Sequence, residues 1–187
     1  MIINDKERSI LQKYRPLLES NPPRIQEFYE NLIWEENLST VAIGRFIQMF
    51  PIRARQRILH SLDYLPEGFL AKCPLEFIII PKGIETIGAG CFLQAPNLSH
   101  VKFEEESICR HIHDDAFQGC SRLRKVELPE SILSIGPFCF NQCNSLTELH
   151  YKGSASKFST INLRLDWLGG SKIKKIICND KELKVNG

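Results

Sequence analysis

Ile132-x-x-Ile135-Gly136-x-x-Cys139-Phe140-x-x-Cys143-x-x-Leu146-x-x-Leu149-x-Tyr151 is the last of three statements of one phrase in this chain of 187 residues. The middle statement runs Cys109-x-x-Ile112-x-x-x-Ala116-Phe117-x-x-Cys120-x-x-Leu123-x-x-Val126-x-Leu128-Pro129. The first runs Ile84-x-x-Ile87-Gly88-x-x-Cys91-Phe92, then Leu98-x-x-Val101-x-Phe103. The step from phenylalanine to leucine is the same each time. A repeat of this length decides the architecture before any local propensity does, because no single copy can bury its apolar face alone. An imperfect copy comes earlier. Phe69 and Leu75 keep the phenylalanine-to-leucine step, Ile78-x-Ile80-Pro81 matches Val126-x-Leu128-Pro129, and Cys73 sits one place late.

Each copy reads as one coil. The x-Val-x-Leu segment alternates, so it forms a short strand with one face inward. Proline turns the chain after it in two copies, and Ile-x-x-Ile-Gly returns along another side. Equivalent strands of successive coils then stack in parallel. Phe69, Phe92, Phe117 and Phe140 are expected to form an internal ladder of rings. The two extra residues of the longest interval fall at Glu104-Glu105-Glu106, a loop position.

Residues 1–64 carry a different period. Asn4 or Asp5 can cap a helix with Ile10, Leu11, Tyr14 and Leu17, which Asn21-Pro22-Pro23 breaks. A second helix carries Ile25, Phe28, Tyr29, Leu32 and Ile33. A third, capped by Ser39 or Thr40, carries Val41, Ile43, Phe46, Ile47 and Phe50. A fourth opens after Pro51 with Ile58, Leu59, Leu62 and Leu65. A solenoid leaves its first coil open, so this helical head is expected to cap it, with helices three and four packed on the coil of Phe77–Ile80.

The repeated phrase Ile-Pro-x-x-Ile-x-x-Ile-Gly-x-x-x-Phe-x-x-Cys-x-x-Leu-x-x-Val resembles the BspA-type leucine-rich repeat across roughly residues 66–180. Tyr151-Lys152-Gly153, Phe158, Ile161, Trp167 and Ile176-Ile177-Cys178-Asn179-Asp180 resemble the closing unit of such arrays. The resemblance implies a short right-handed β-solenoid with a stacked parallel sheet. The fold expected is therefore α+β, with a head at 1–64, repeats with a closing unit at 65–180, and a tail at 181–187. Local departures are His113 in the place of Gly88 and Gly136, Ala95 in the place of a cysteine, and Cys109 in the place of isoleucine. Many members of the family are secreted surface proteins. The charged start of this chain has no apolar signal region, which sets the expectation of a cytoplasmic, intracellular protein.

Composition narrows the function. Apolar residues make up 43% and the net charge is +2, too small to imply nucleic acid by itself. No apolar run reaches the roughly 18 residues of a membrane span. Seven cysteines look chemical until they are set on the repeat. Cys120 and Cys143 share one register, Cys91 and Cys139 another, and Cys109 stands with Ile84 and Ile132. They read as small apolar core residues of a reduced protein. No CxxC, P-loop, GxGxxG, GxSxG or HExxH occurs, so neither an enzyme nor a cofactor is expected. His111 and His113 fall on one side of an extended segment beside Asp114-Asp115, a pattern able to hold zinc or copper. Register makes Ile112 the core residue and turns both histidines outward, so no metal is assigned.

The candidate site is the outward face of the strands. Between the inward pairs lie Phe77 and Ile79, His100 and Lys102, Lys125 and Glu127, Glu148 and His150, and Lys175 and Ile177. Repeat solenoids bind through such extended surfaces. An exposed Phe77–Ile79 pair flanked by cations would serve as an anchor. The competing reading is that the head covers Phe77 and Ile79 and that the rest is a solvated mixed face. The leading expectation is a protein-interaction module whose partner is another protein, by analogy a viral or pathogen inhibitor of a host factor. One alternative is a nucleic-acid or phosphate binder using Arg53, Arg55 and Arg57. Another is a metal protein at His111 and His113.

Overall fold

The computed structural model describes residues 4–19, 39, 42–45, 56 and 58–185. The second expected helix and the Arg53, Arg55 and Arg57 run lie outside these residues. In the head, helix α1 spans Asp5–Glu19 and leans Ile10 on the core. Ser39 caps the helical residues 42–45: its hydroxyl accepts from the Ala42 N–H at 3.1 Å. Residues 58–60 are helical as well. Ile43, Ile58, Leu59 and Leu62 are buried in the same hydrophobic cluster as Leu65, Phe69 and Leu70.

The rest is a solenoid of about five turns. The first coil contains β1 (Tyr64–Leu65) and β2 (Phe77–Ile80), and the second β3 (Thr86–Ile87) and β4 (His100–Phe103). The third contains β5 (His111–Ile112) and β6 (Lys125–Leu128), and the fourth β7 (Ser134–Ile135) and β8 (Glu148–Tyr151). The last holds α2 (Ala155–Phe158), β9 (Asn162–Leu163) and β10 (Lys175–Ile177), followed by β11 (Glu182–Lys184). The short strands stack as one sheet in the order β1-β3-β5-β7-β9. The longer strands stack as a second sheet in the order β11-β10-β8-β6-β4-β2, parallel except for β11. The tail expected at 181–187 thus includes a strand that folds back on β10.

A third wall is made of turns rather than strands. Gly68, Leu70 and Lys72 donate their N–H groups to Ala89, Cys91 and Leu93 of the next coil at 2.7–2.9 Å. Gly90, Phe92 and Gln94 donate in the same way to Asp114, Ala116 and Gln118. Each turn begins and ends on a residue of positive φ, such as Gly90 and Gln94 or Asp115 and Gly119. These left-handed residues aim alternate peptide groups along the stack, so the backbone is satisfied without a strand.

These bonds correct the register of the first coil. Leu65 pairs with Ile87, and the turn ladder sets Leu70 opposite Phe92's own N–H position, one coil earlier. Leu70, and not Phe69, therefore stands in the column of Phe92, Phe117 and Phe140. Phe69 stands with Cys91, Ala116 and Cys139. With Leu70 as reference, Cys73 falls in line with Ala95, Cys120 and Cys143. The missing residue lies between Cys73 and Leu75, where Ala95-Pro96-Asn97-Leu98 has one more.

The ring ladder runs from Phe92 to Phe140. Phe92 stacks on Phe117 at 5.0 Å and Phe117 on Phe140 at 5.5 Å, with planes 5° and 3° apart. Trp167 closes it edge-on at 6.0 Å from Phe140. Beside the rings, Cys120 Sγ donates to the Phe92 carbonyl and Cys143 Sγ to the Phe117 carbonyl, each at 3.1 Å. The repeated cysteine thus fills a small apolar site and places a weak donor on the preceding coil. The glycine of Ile-Gly is explained by close approach: a Cβ on Gly136 would lie 2.5 Å from the Asp114 nitrogen of the preceding coil.

Front and back of the stack differ. Residues 42–45 press directly on the first coil, where a Cβ on Gly44 would overlap the Phe69 carbonyl oxygen. At the back, Asp180 accepts from the Ala155 N–H at 2.7 Å and so fixes the start of α2. Among the described residues no helix is long and apolar enough to cross a membrane.

Candidate interaction face

Alternation along the longer strands separates the two faces. Ile78, Ile80, Val101, Phe103, Val126, Leu128, Leu149, Tyr151, Ile176 and Cys178 are buried. The residues between them point outward and fall into two columns. One column runs Phe77, His100, Lys125, Glu148 and Lys175; the other runs Ile79, Lys102, Glu127, His150 and Ile177. All ten expected face residues are therefore brought onto one sheet. Phe77 is 52% exposed, while Ile79 is half-buried.

The charges on this face are not distributed evenly. Lys125 Nζ lies 2.7 Å from Glu127 Oε1, and His150 Nε2 lies 2.9 Å from Glu148 Oε1. Lys175 reaches Glu148 at 3.3 Å and Glu182 at 3.6 Å. The hydrogen bond from Lys125 holds the Glu127 carboxyl below its ordinary pKa. Hydrogen bonds from His150 and Lys175 do the same for Glu148. Toward β2 the direct contacts thin out. Lys102 makes no ion pair among the described residues, but its charge helps to hold Glu105 and its cross-strand neighbour Glu127 below their ordinary pKa, and His100 turns its Nδ1 to the Ser99 hydroxyl at 2.8 Å. The face thus has an apolar end at β2 and a web of interacting charges from β4 to β11. That asymmetry depends on side-chain reach across strands, and the sequence pattern carried no signal of it.

The other candidates are placed differently. His111 lies in the short-strand sheet, half-buried, with Nδ1 2.8 Å from the Ser134 hydroxyl. His113 is exposed. No group of three or more His, Cys, Asp or Glu side chains converges among the described residues as a metal site would. All seven cysteines are free and buried. Burial raises the Cys73 thiol to about 11 and the Cys109 and Cys120 thiols to about 12, and it pushes Cys91, Cys139 and Cys143 further in the same direction. Protonated, enclosed thiols are poor nucleophiles. A cleft of about 650 Å³ lies at the turn beside the face, between Glu104–Ser107 and Pro129–Ser131. Its carboxylates are matched internally, Glu105 by Lys152 at 2.6 Å and Glu130 by Lys157 at 3.0 Å.

Comparison with known proteins adds three findings. The family model described as "BspA type Leucine rich repeat region" matches residues 63–182 in six copies. No curated protein matches. Among solved structures, the chain is similar to the pneumococcal vaccine antigen PcpA, with 21% identity over 56% of this chain and 31% of that one, at a TM-score of 0.46. It is also similar to a leucine-rich cell surface protein of Faecalibacterium prausnitzii A2-165, with 25% identity over 55% of this chain and 33% of that one, at a TM-score of 0.40. The chain spans about a third of the length of either protein.

Proposed function

This chain belongs to the BspA-type leucine-rich repeat family, and from that premise we propose that it is a non-enzymatic module that binds another protein through the outward face of β2, β4, β6, β8 and β10. One observation carries the reading: a large apolar side chain, Phe77, stands 52% exposed on the strand face, opposite His100 and close to Lys102. Exposed aromatic surface is costly to leave in water, and aromatic side chains are frequent centres of binding energy. Ile43, Ile58, Leu59 and Leu62 pack with residues of the first coil, which supports a capping role for the head. A reducing compartment such as the cytoplasm is the proposed setting, a reading that the seven free thiols support.

The test is capture with the purified chain as bait and identification of the retained proteins by mass spectrometry. A Lys102→Ala/Lys125→Ala/His150→Ala variant of unchanged melting temperature should lose at least one retained protein. Equal retention by both baits would remove the face from the account. Retention that survives this variant but is lost on changing Arg53, Arg55 and Arg57 would move the working surface to the head.

A further inference from the structure

The corner where each coil enters its longer strand carries a charge pattern that the strand face does not share. Phe77, His100, Lys125, Glu148 and Lys175 open the strands in one column. The residues just before them, Glu76, Ser99, Arg124, Thr147 and Lys174, form the next column. Main-chain bonds tie it together: the Ser99 N–H donates to the Glu76 carbonyl and the Arg124 N–H to the Ser99 carbonyl, each at 2.8 Å, and the Lys174 N–H donates to the Thr147 carbonyl at 2.9 Å. Two residues further back lie Asn97, Arg122, Ser145 and Lys172. Leu98, Leu123, Leu146 and Ile173 are buried between the two columns. Arg122, Arg124, Lys172 and Lys174 are all exposed, and over the last three coils no acidic residue shares their columns.

The carboxylates around this corner are engaged elsewhere. On the adjoining face Glu127 is held by Lys125, and Glu148 by His150 and Lys175, while Glu182 lies 3.6 Å from Lys175. Glu76 stands in the Arg124 column but two coils away, roughly 9.6 Å by strand spacing. Arg124, Lys172 and Lys174 make no ion pair among the described residues, and Arg122 donates only to the Asn97 side-chain oxygen, at 3.0 Å. The exposed Thr147 lies between Arg124 and Lys174 and adds a hydroxyl donor.

We propose that this corner binds an extended acidic segment of a protein, laid along the stack of coils. Arg124 and Lys174 are two coils apart, roughly 9.6 Å, and three residues of extended chain span about 10 Å. Carboxylates three residues apart therefore meet both cations. Arg122 and Lys172 lie two residues back, roughly 6.6 Å away, and take further carboxylates of the same segment. The two guanidinium groups suit carboxylates, which accept their paired N–H donors side by side. The surroundings disfavour other anions. Neither column holds an exposed aromatic ring on which the bases of a single strand would stack. Neither holds an exposed large apolar side chain to enter a membrane. A net charge of +2 gives a duplex little general attraction. This adds a second surface to the binding-module reading and does not depend on Phe77 or Lys102.

The probe is a short blocked peptide with glutamate at every third position and serine between, titrated into the full chain at low ionic strength. Saturable binding is expected, with Lys172 and Lys174 protected from acetylation and Lys72 and Lys82 labelled as in the free chain. An Arg124→Gln/Lys174→Gln variant should bind about ten-fold more weakly, the loss of two exposed ion pairs, at unchanged melting temperature. Lys102→Ala should bind as the unaltered chain does. No saturable binding, or binding that leaves Lys172 and Lys174 labelled as before, overturns the proposal. Duplex DNA or phosphatidylserine vesicles bound more tightly than the peptide, through Arg124 and Lys174, also overturn it in favour of a phosphate ligand. Acetylation is read on the unaltered chain, so a poorly folded variant does not obscure the outcome. Neither Phe77 nor the strand-face charges enter the binding step, so failure at the corner leaves the strand-face reading in place.

Discussion

Phe117→Ala is the perturbation that bears hardest on the solenoid. The ring is fully buried and stacked on both faces, at 5.0 Å from Phe92 and 5.5 Å from Phe140. Truncating a phenylalanine in a close-packed core costs about 3–5 kcal/mol, through lost transfer energy and the cavity left behind. Each stacked pair contributes roughly 0.5–1.5 kcal/mol beyond burial. Phe117→Leu keeps much of the volume and forfeits both stacks, so it should cost about 1–3 kcal/mol. Urea unfolding with linear extrapolation measures both. For a domain of this size each kcal/mol moves the midpoint of a thermal melt by about 2–4 °C, so Phe117→Ala should lower it by roughly 6–20 °C. A loss below about 1 kcal/mol for alanine, or a leucine variant as stable as the unaltered chain, would refute the ring ladder.

Three further outcomes follow from particular contacts. Gly136→Ala drives a Cβ to 2.5 Å from the Asp114 backbone, whereas Gly83→Ala meets nothing within 4 Å. The first should destabilise by about 1–3 kcal/mol and the second by less than about 0.5 kcal/mol in the same urea assay. Burial raises the folded-state pKa of the cysteines above the ordinary thiol value of 9.0, with Cys73 at about 11 and Cys109 and Cys120 at about 12. The unfolded chain therefore binds fewer protons above pH 9, and stability should be full below that pH. It should fall by about 1.4 kcal/mol per pH unit for each such thiol as pH rises toward 11–12. Melts from pH 7 to 10.5 check this, and a Cys120→Ala variant should show a shallower alkaline decline. Ile58→Ala, in the head segment packed on the first coil, should cost about 2–5 kcal/mol in the global unfolding transition. A separate early transition would instead mean that the head unfolds alone.

The repeat was legible because its period, its inward alternation and its Ile-Gly step are local in sequence. Cys91, Cys109, Cys120, Cys139 and Cys143 fell on core registers for the same reason, and all are buried. The first coil misled because it lost one residue between Cys73 and Leu75, which keeps the familiar phenylalanine-to-leucine step while moving the ring to Phe69. Only the cross-coil bonds of Gly68, Leu70 and Lys72 reveal that Leu70 holds the ring column. The turn wall was not foreseen, because its ladder depends on positive φ at Lys72, Gln94, Asp115 and Gln142, residues with no glycine signature. Trp167 belonged to the closing unit by resemblance, but its edge-on rung against Phe140 is a tertiary event. On the face, alternation named the outward residues. It did not tell that Lys125, His150 and Lys175 reach carboxylates in direct ion pairs.

The most direct test of the binding face is side-chain footprinting of the chain with and without a captured partner. Hydroxyl-radical labelling reads Phe77 and Ile79 on the strand face, and Tyr64, Leu133 and Leu165 elsewhere on the surface. Lysine acetylation reads Lys102. The account predicts that Phe77 and Lys102 are protected in the complex while Leu133 and Leu165 label as in the free chain. Protection confined to Tyr64, Leu133 or Leu165, with Phe77 and Lys102 labelled as before, would contradict it.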